Sequence, residues 1–247
     1  MTAQGQCRLC GEMKRLHESH VWPRCGYKRW VANNQRGGEF CDVTKRRRTN
    51  RQYKRRWFCS QCEGTIGRGE TEFTKLLDAT KGNDPLYYGP SLTDFATSVS
   101  LRTALFTLEN GEFRPEVACR LRDAIRHWKR FVLGKVRTLL PFSQHAFYLP
   151  DDGSNWHQIM GGQVHHTAQL VVSQVGPLMV IGLLNRQTLT ARDRKTWKQT
   201  EIELEGGTLR PLSEWKEDGN VTRALINVLN RQQCKLAVTA SVFDLTK

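Results

Sequence analysis

Hydrophobic and polar positions follow a helical period through the middle of the chain. Apolar residues recur every three to four positions from about residue 70, over 92–108, and again over 115–133. This spacing predicts three helices, each with one apolar face. The shared face of the second helix is formed by Phe95, Val99, Arg102 and Phe106.

Capping and breaking residues give the expected ends of these helices. Thr93 or Asp94 can cap the second helix, Pro115 opens the third and Gly134 ends it. The first helix is expected to begin no earlier than about residue 70, because glycines interrupt the preceding segment at positions 64, 67 and 69.

Beyond residue 150 the hydrophobic period shortens to that of strands. Residues 164–172 and 177–184 predict a hairpin, joined through 173–176, with at least one buried strand. Residues 198–205 alternate and predict a further strand. The last segments are expected to add a short helix at 221–231 and a strand or a helix at 235–243.

The charge of the chain is concentrated near its beginning. The 247 residues contain 38 Lys and Arg against 24 Asp and Glu, a formal net charge of +14, and residues 1–60 hold fifteen of those cations with four of the acids. Such a segment points to a polyanionic partner such as nucleic acid. No apolar run approaches the roughly 20 residues of a membrane span. The N-terminus carries no secretion signal, so a cytoplasmic location and no membrane partner are expected.

The densest charge lies in the basic strip, residues 45–56, where eight of twelve positions are cationic. We interpret this strip as a phosphate-binding surface, with Tyr53 and the following Trp57 available to stack on a base or sugar. A solvated loop or a nuclear-localisation patch would have the same composition. The nucleic-acid-binding candidates are Lys45, Arg46, Arg47, Arg48, Arg51, Lys54, Arg55 and Arg56.

Four of the eight cysteines form two C-x2-C pairs, Cys7 with Cys10 and Cys59 with Cys62. Two such pairs can surround one tetrahedral Zn²⁺ with Zn–S distances of about 2.3 Å. In a reducing compartment, metal ligation is favoured over disulfides, and the second pair argues against a redox motif. We therefore predict a structural zinc that holds the fold and takes no part in chemistry.

The other four cysteines have different expected roles. Cys25 and Cys41 lie in the same N-terminal segment and could replace one zinc ligand. Cys119 and Cys234 are predicted to be buried core thiols.

The residues around the two cysteine pairs form a recognisable pattern. Residues 19–23 read S-H-V-W-P, and Glu63 directly follows the second pair. The order C-x2-C, S-H-x-x-P, C-x2-C-E resembles the HNH endonuclease family of ββα-metal nucleases. Zinc-stapled members of that family have H-H-I-x-P or D-H-I-x-P on the strand and C-x2-C-H at the second pair. The resemblance covers about residues 7–75, under a third of the chain.

This resemblance implies a nuclease site with one catalytic divalent metal. His20 occupies the position of the general base that activates water. Ser19 stands where the family has a ligand His or Asp, and Glu63 stands where it has its last His; a carboxylate there suits Mg²⁺ or Mn²⁺. On a helix, Glu70 would lie about 20° from Glu63 and is a second candidate ligand. Asn50 is the first candidate for the middle asparagine of the motif, and Gln52 is the second.

Other roles stay open for these residues. His20 could be a structural histidine, or a zinc ligand together with His17. Glu70 could cap a helix that begins beside it, and Glu63 could have no chemical role.

The expected organisation is α+β with two parts. The head, residues 1–75, is a small zinc-stabilised, treble-clef-like ββα-metal module, and the body, residues 76–247, contains helices and a small antiparallel sheet that regulate the head or bind a partner or a second copy. The favoured function is a metal-dependent endonuclease that cuts DNA, with RNA possible, in bacterial or phage defence. The alternative is a catalytically inactive zinc-stabilised nucleic-acid-binding subunit of a larger complex.

Overall fold

The computed structural model describes residues 4–26, 40–42, 47–49, 53–79, 85–148, 160–165, 169–185, 198 and 200–209. Helices and antiparallel sheets both contribute, so the predicted α+β class is confirmed. The expected elements at 221–231 and 235–243 lie outside the described residues. The elements in chain order are β1 (Gln4–Gln6), β2 (Met13–His20), β3 (Phe40–Asp42), β4 (Arg47–Thr49), β5 (Lys54–Cys59), α1 (Ser60–Ala79), β6 (Leu86–Tyr88), α2 (Ser91–Asn110), α3 (Pro115–Val132), β7 (Gln144–Tyr148), β8 (Met160–His165), β9 (Leu170–Val175), β10 (Leu178–Leu183) and β11 (Gly207–Leu209).

The N-terminal sheet has the strand order β1-β2-β5, and both of its pairings are antiparallel. In β2, Lys14 and Leu16 lie at half-buried positions between exposed ones. An unbroken two-residue period would turn Glu18 toward the interior and Ser19 toward solvent. A register shift between His17 and Glu18 reverses this order, so Ser19 is buried and Glu18 is exposed.

Helix α1 begins at Ser60, directly after the last residue of β5, so the expected start near residue 70 is wrong. Gly64 and Gly67 face open space, while Gly69 lets the helix approach α2, since a Cβ there would lie 3.3 Å from the backbone nitrogen of Phe95. Each glycine costs about 1 kcal/mol in a helix, and packing of the apolar stripe offsets that cost. The buried positions of the stripe are Cys62, Ile66, Gly69, Phe73 and Leu77.

Helix α2 confirms the predicted second helix but is buried on almost every side from Leu92 to Leu105. Small and hydroxyl-bearing residues allow this close packing, because their polar atoms find partners inside the core. Ser100 Oγ donates to Gln144 Oε1 at 2.7 Å. The expected cap is wrong: the N-cap is Pro90, and the Thr93 hydroxyl donates instead to the carbonyl of Glu203.

Helix α3 confirms the third predicted helix, with Pro115 in its first turn. Trp128 is fully buried and its indole Nε1 donates to the carbonyl of Phe142 at 2.9 Å. Gly134 follows the helix with φ of +68°, a left-handed conformation that glycine adopts without steric cost.

The second main sheet has the strand order β7-β10-β9-β8, with every pairing antiparallel. The predicted hairpin corresponds to β9 and β10, but its turn is at Gly176-Pro177, and the segment 164–172 holds the end of β8 and the beginning of β9. The predicted strand at 198–205 is wrong. Glu201 makes an isolated bridge to His145, and the strand comes later, where β11 pairs with β6.

One hydrophobic cluster joins the head to the body. It includes Cys7 and Trp57 from the head together with Leu101, Leu121 and Trp128 from α2 and α3. The expected boundary between residues 75 and 76 falls within helix α1. Among the described residues no helix combines the length and apolar character needed to cross a membrane.

Candidate functional site

The sulfur atoms of both cysteine pairs converge. The metal-ligating atoms of Cys7, Cys10, Cys59 and Cys62 all lie within 4.8 Å of one another. Cys7 and Cys10 flank a turn between β1 and β2, Cys59 ends β5, and Cys62 lies in the first turn of α1. Four sulfurs at this separation fit a tetrahedral Zn²⁺, so the four cysteines can hold a structural metal. This confirms the predicted four-cysteine group.

Backbone contacts hold this cluster in shape. The amide of Cys59 donates to Cys7 Sγ at 3.4 Å, and Arg8 N donates to the carbonyl of Trp57 at 2.7 Å. Burial opposes ionisation of Cys7, but hydrogen bonds from the backbone of Cys10, Cys59 and Leu9 outweigh it and lower the pKa of the Cys7 thiol to about 7. A thiolate that forms near neutral pH is suited to ligation.

The remaining described cysteines stand apart from the cluster. Cys25 is half-buried; burial, with the nearby charge of Glu70, raises the pKa of its thiol to about 11. Cys119 is exposed on α3, so its prediction as a buried core thiol is wrong. The side chain of Cys41 and the whole of Cys234 lie outside the described residues.

Ser19 and Glu63, predicted from separate motifs, are in direct contact. Ser19 Oγ donates a hydrogen bond to Glu63 Oε1. At the register shift Trp57 is the extra residue of β5; beyond it Ser19 is buried, and the early start of α1 brings Glu63 to Ser19 in the first helical turn. Burial raises the pKa of Glu63, while the Ser19 hydrogen bond and the nearby Arg102 act against that rise.

His20 directly follows Ser19 as the last residue of β2 and is half-buried. Among the described residues, its Nδ1 is buried and has no hydrogen-bond partner. Burial and the nearby Lys54 lower the pKa of His20 below its ordinary value, and Glu70 acts in the opposite direction. The imidazole is therefore neutral at pH 7 and keeps a lone pair for a proton or a metal.

Glu70 lies two helical turns beyond Glu63 and is held by an arginine of the body. Arg102 Nη1 approaches Glu70 Oε1 at 2.8 Å, and the side chains of Arg102 and Glu70 are only 4% and 19% exposed. Glu70 and Arg102 each act on the pKa of Glu63 and on that of His20, so both lie within electrostatic reach of those two residues. The candidate site is the set Ser19, His20, Glu63, Glu70 and Arg102.

Arg102 is the member of this set that the sequence pattern does not assign to the site. Its signal is nevertheless present, because Arg102 falls on the apolar face of α2 defined by Phe95, Val99 and Phe106. A charge on a buried face requires a partner of opposite charge. Candidates for that partner are the acids of the preceding helix.

The basic strip is only partly described. Arg47 and Arg48 lie in β4, paired with β3, and Lys54, Arg55 and Arg56 lie in β5. Lys54 approaches Glu18 at 3.5 Å, and the Arg55 guanidinium lies 5.3 Å from the centroid of Phe106. The remaining candidates, Lys45, Arg46, Arg51 and Asn50, lie outside the described residues.

The aromatic side chains of Tyr53, within the strip, and of Trp57, directly after it, pack against other side chains of the protein. Trp57 is buried and its Nε1 donates to both carboxylate oxygens of Glu109, at 3.1 and 3.2 Å. Its expected availability for stacking is therefore wrong. Tyr53 packs edge-on against Trp22, with ring centroids 5.7 Å apart, and against Phe106 at 5.5 Å.

Comparison with known proteins adds no relative to this description. The chain matches no protein-family model, no curated protein and no solved structure.

Proposed function

We propose that the chain is a metal-dependent HNH-like endonuclease that cuts phosphodiester bonds of DNA. The observation that carries the proposal is the contact between Glu63 and Ser19, the residue that directly precedes His20. These residues come from the two motifs on which the family resemblance rests, and 44 positions separate them in sequence. The antiparallel pair β2 and β5, followed directly by α1, gives an order of elements that supports a ββα-metal module.

The donor set fits a hard divalent cation. Glu63 supplies a carboxylate and Ser19 a hydroxyl oxygen, and the next residue, His20, offers an imidazole nitrogen that has no partner in the part of the chain that the structure describes. Mg²⁺ or Mn²⁺ takes such oxygen ligands and completes its shell with water and phosphate oxygens. Glu63 with Ser19 would hold this cation. When bound, it would supply neutralisation of charge on the scissile phosphate and the leaving oxygen.

The chain's own residues would perform the remaining steps. His20, neutral at pH 7, takes the proton of the attacking water. The hydroxyl of Ser19 orients the Glu63 carboxylate. The cations of the basic strip bind the phosphates on either side of the cut, which makes the substrate a polyanion and its binding sensitive to salt.

A cleavage assay on plasmid and single-stranded DNA and RNA, with Mg²⁺, Mn²⁺ or EDTA, tests this proposal. We expect metal-dependent cutting, and a loss of about 10²–10⁴-fold in rate in His20→Ala, the usual contribution of a general base. His127→Ala, a histidine of α3 outside the candidate site, is the control and should cut normally. Zinc content and DNA binding should be unchanged in both variants. Loss of zinc in His20→Ala would instead support the zinc-ligand role and contradict the base.

One observation favours a second candidate, a non-catalytic nucleic-acid-binding subunit. Both acids of the site already have partners, Glu63 in Ser19 and Glu70 in Arg102. Acids that are engaged by other side chains of the protein are typical of a structural site. Salt-dependent DNA binding without cutting in any metal would support this candidate over the nuclease.

A further inference from the structure

The guanidinium of Arg102 connects three elements at the junction of head and body. Its Nη1 donates to Glu70 Oε1 on α1 at 2.8 Å and to the carbonyl of His20 at the end of β2, at 3.4 Å. Its Nε and Nη2 donate to the carbonyl and hydroxyl of Ser98, one turn earlier on α2, at 3.3 and 3.4 Å. The body thus reaches the site through the side chain of Arg102.

Burial restricts the geometry that the contacts of Arg102 can have. The Arg102 side chain is 4% exposed, so a substrate phosphate has little access to it. Burial of a guanidinium without a carboxylate partner is strongly unfavourable. A planar guanidinium that donates to several fixed acceptors has one favoured orientation. The partners of Arg102 therefore restrict where the end of β2 and the middle of α1 can lie relative to each other.

These two elements carry the chemical groups of the candidate site. β2 ends in Ser19 and His20, and α1 presents Glu63 two turns before Glu70. An error of about 1 Å in such a site can cost on the order of 10² in rate. A group that fixes β2 against α1 also fixes the imidazole of His20 against the carboxylate of Glu63.

We propose that Arg102 is a positioning residue of the nuclease site, through which the body holds His20 and Glu63 in productive geometry. The inference rests on the proposed endonuclease function. It follows that the body completes the site, and that head and body form one catalytic unit.

Three variants of the full-length chain test this inference. Arg102→Met removes the charge and its hydrogen bonds, Arg102→Lys keeps the charge, and the double variant Arg102→Met with Glu70→Leu replaces the ion pair with apolar side chains. Arg126→Met, at an exposed position of α3, is the matched control. Each is compared in thermal midpoint, zinc content, DNA affinity in EDTA, kcat, and the Mn²⁺ concentration that gives half the maximal rate.

A positioning role predicts a separation of these quantities. Arg102→Met should lower kcat by about 10–100-fold, the range found for residues that orient metal-site ligands, with zinc content and DNA affinity unchanged. Arg102→Lys should recover part of the loss. Arg102→Met should also lower the thermal midpoint, because it removes the partner of Glu70. The double variant should regain this midpoint, because an apolar pair can replace a buried ion pair. Its kcat should remain low and its Mn²⁺ requirement unchanged.

Three results would overturn the inference. One is a kcat of Arg102→Met within about twofold of wild type. Another is a double variant that regains kcat together with its thermal midpoint, since the pair would then act through stability alone. The third is a raised Mn²⁺ requirement in the double variant, which would make Glu70 a ligand. If the wild type itself cuts no substrate, the proposed function fails and this inference fails with it, a result distinct from active wild type with unaffected variants.

Discussion

The sheet of the head and the sheet of the body are stabilised in different ways. In β2 only Ser19 of eight residues is fully buried, whereas every residue of β9 and β10 is buried. The body sheet therefore gains stability from the removal of apolar surface from water. In the head sheet the buried apolar side chains are concentrated at the end of β5, in Trp57 and Phe58, and the strands are joined at the four converging cysteines. The difference leads us to expect that the stability of the head depends on a metal at these cysteines more than the stability of the body does.

Loss of the metal from the head should produce the largest difference between the two sheets. In Cys59→Ala we expect zinc to be lost and amide exchange in β2 and β5 to accelerate on the order of 100-fold or more, because ligation free energy is folding free energy at such sites. Exchange in β9 and β10 should change little. Hydrogen-exchange mass spectrometry with metal analysis measures both, and Cys119→Ala, an exposed thiol, is the control. Equal acceleration in both sheets would contradict the separation.

A cavity in the body should lower the stability of the body and leave zinc bound in the head. Leu121 of α3 is fully buried in the cluster that joins the head to the body. Leu121→Ala should lower the free energy of unfolding by about 2–5 kcal/mol, because it removes apolar contacts and leaves a void. Urea denaturation measures the loss, and zinc should stay bound at 25 °C. Arg122→Ala, the exposed neighbour, should cost under about 0.5 kcal/mol. A zinc loss in Leu121→Ala would show that the head lacks independent stability.

The surfaces of the head and the body should also differ in how much they contribute to nucleic-acid binding. Neutralising Arg46, Arg47 and Arg48 to Gln should reduce the slope of log K against log salt by about 2–3, since each phosphate contact contributes about 0.9 on duplex DNA. The matched control is a triple change to Gln on the body helix α3, at the exposed positions Arg122, Arg126 and Arg130. It should leave the slope unchanged. An equal effect of both triplets would mean that net charge, and no defined surface, determines binding.

The smallest expected effect concerns two free thiols, one in each region. The pKa of Cys25 is raised to about 11, so at pH 8 its thiolate fraction is on the order of 10⁻³, and alkylation should be slow. The fraction, and with it the rate, should increase as the pH is raised toward 11. Cys119 is exposed and should react at least about 100-fold faster at pH 8. Iodoacetamide time courses read by mass spectrometry compare them, and equal rates at pH 8 would contradict the burial of Cys25.

The regular features of this fold could be predicted from sequence. Helices α2 and α3 follow from apolar spacing, and the four-cysteine group follows from the spacing of its ligands, since both depend on local periodicity or on one metal's coordination. The early start of α1 could not be predicted, because three glycines lower its helix propensity and only tertiary contacts outweigh them. Cys62 at the metal cluster and Gly69 against Phe95 are such contacts.

The candidate site was predictable in its parts and not in its assembly. Ser19, His20 and Glu63 can be selected by motif, but the contact between Ser19 and Glu63 depends on a register shift between β2 and β5. The extra residue at that shift, Trp57, lies in β5, and neither KRRWFC nor MKRLHESH marks the position of a bulge. Arg102 is a long-range partner, 32 positions from Glu70, and local patterns do not report such pairs.

The continuity of β5 into α1 has a consequence for which changes of length this chain tolerates. Cys59 ends the strand, Cys62 and Glu63 lie in the first turn, and Glu70 follows on the same helix without a break. Each added or deleted residue rotates everything beyond it by about 100°. One insertion after Cys62 would turn Glu63 away from Ser19, and one insertion after Glu63 would turn Glu70 away from Arg102. Over residues 59–70 the end of β5 and the helix that follows fix the spacing and the orientation of these side chains. This segment can therefore accept substitutions where it cannot accept a single insertion or deletion.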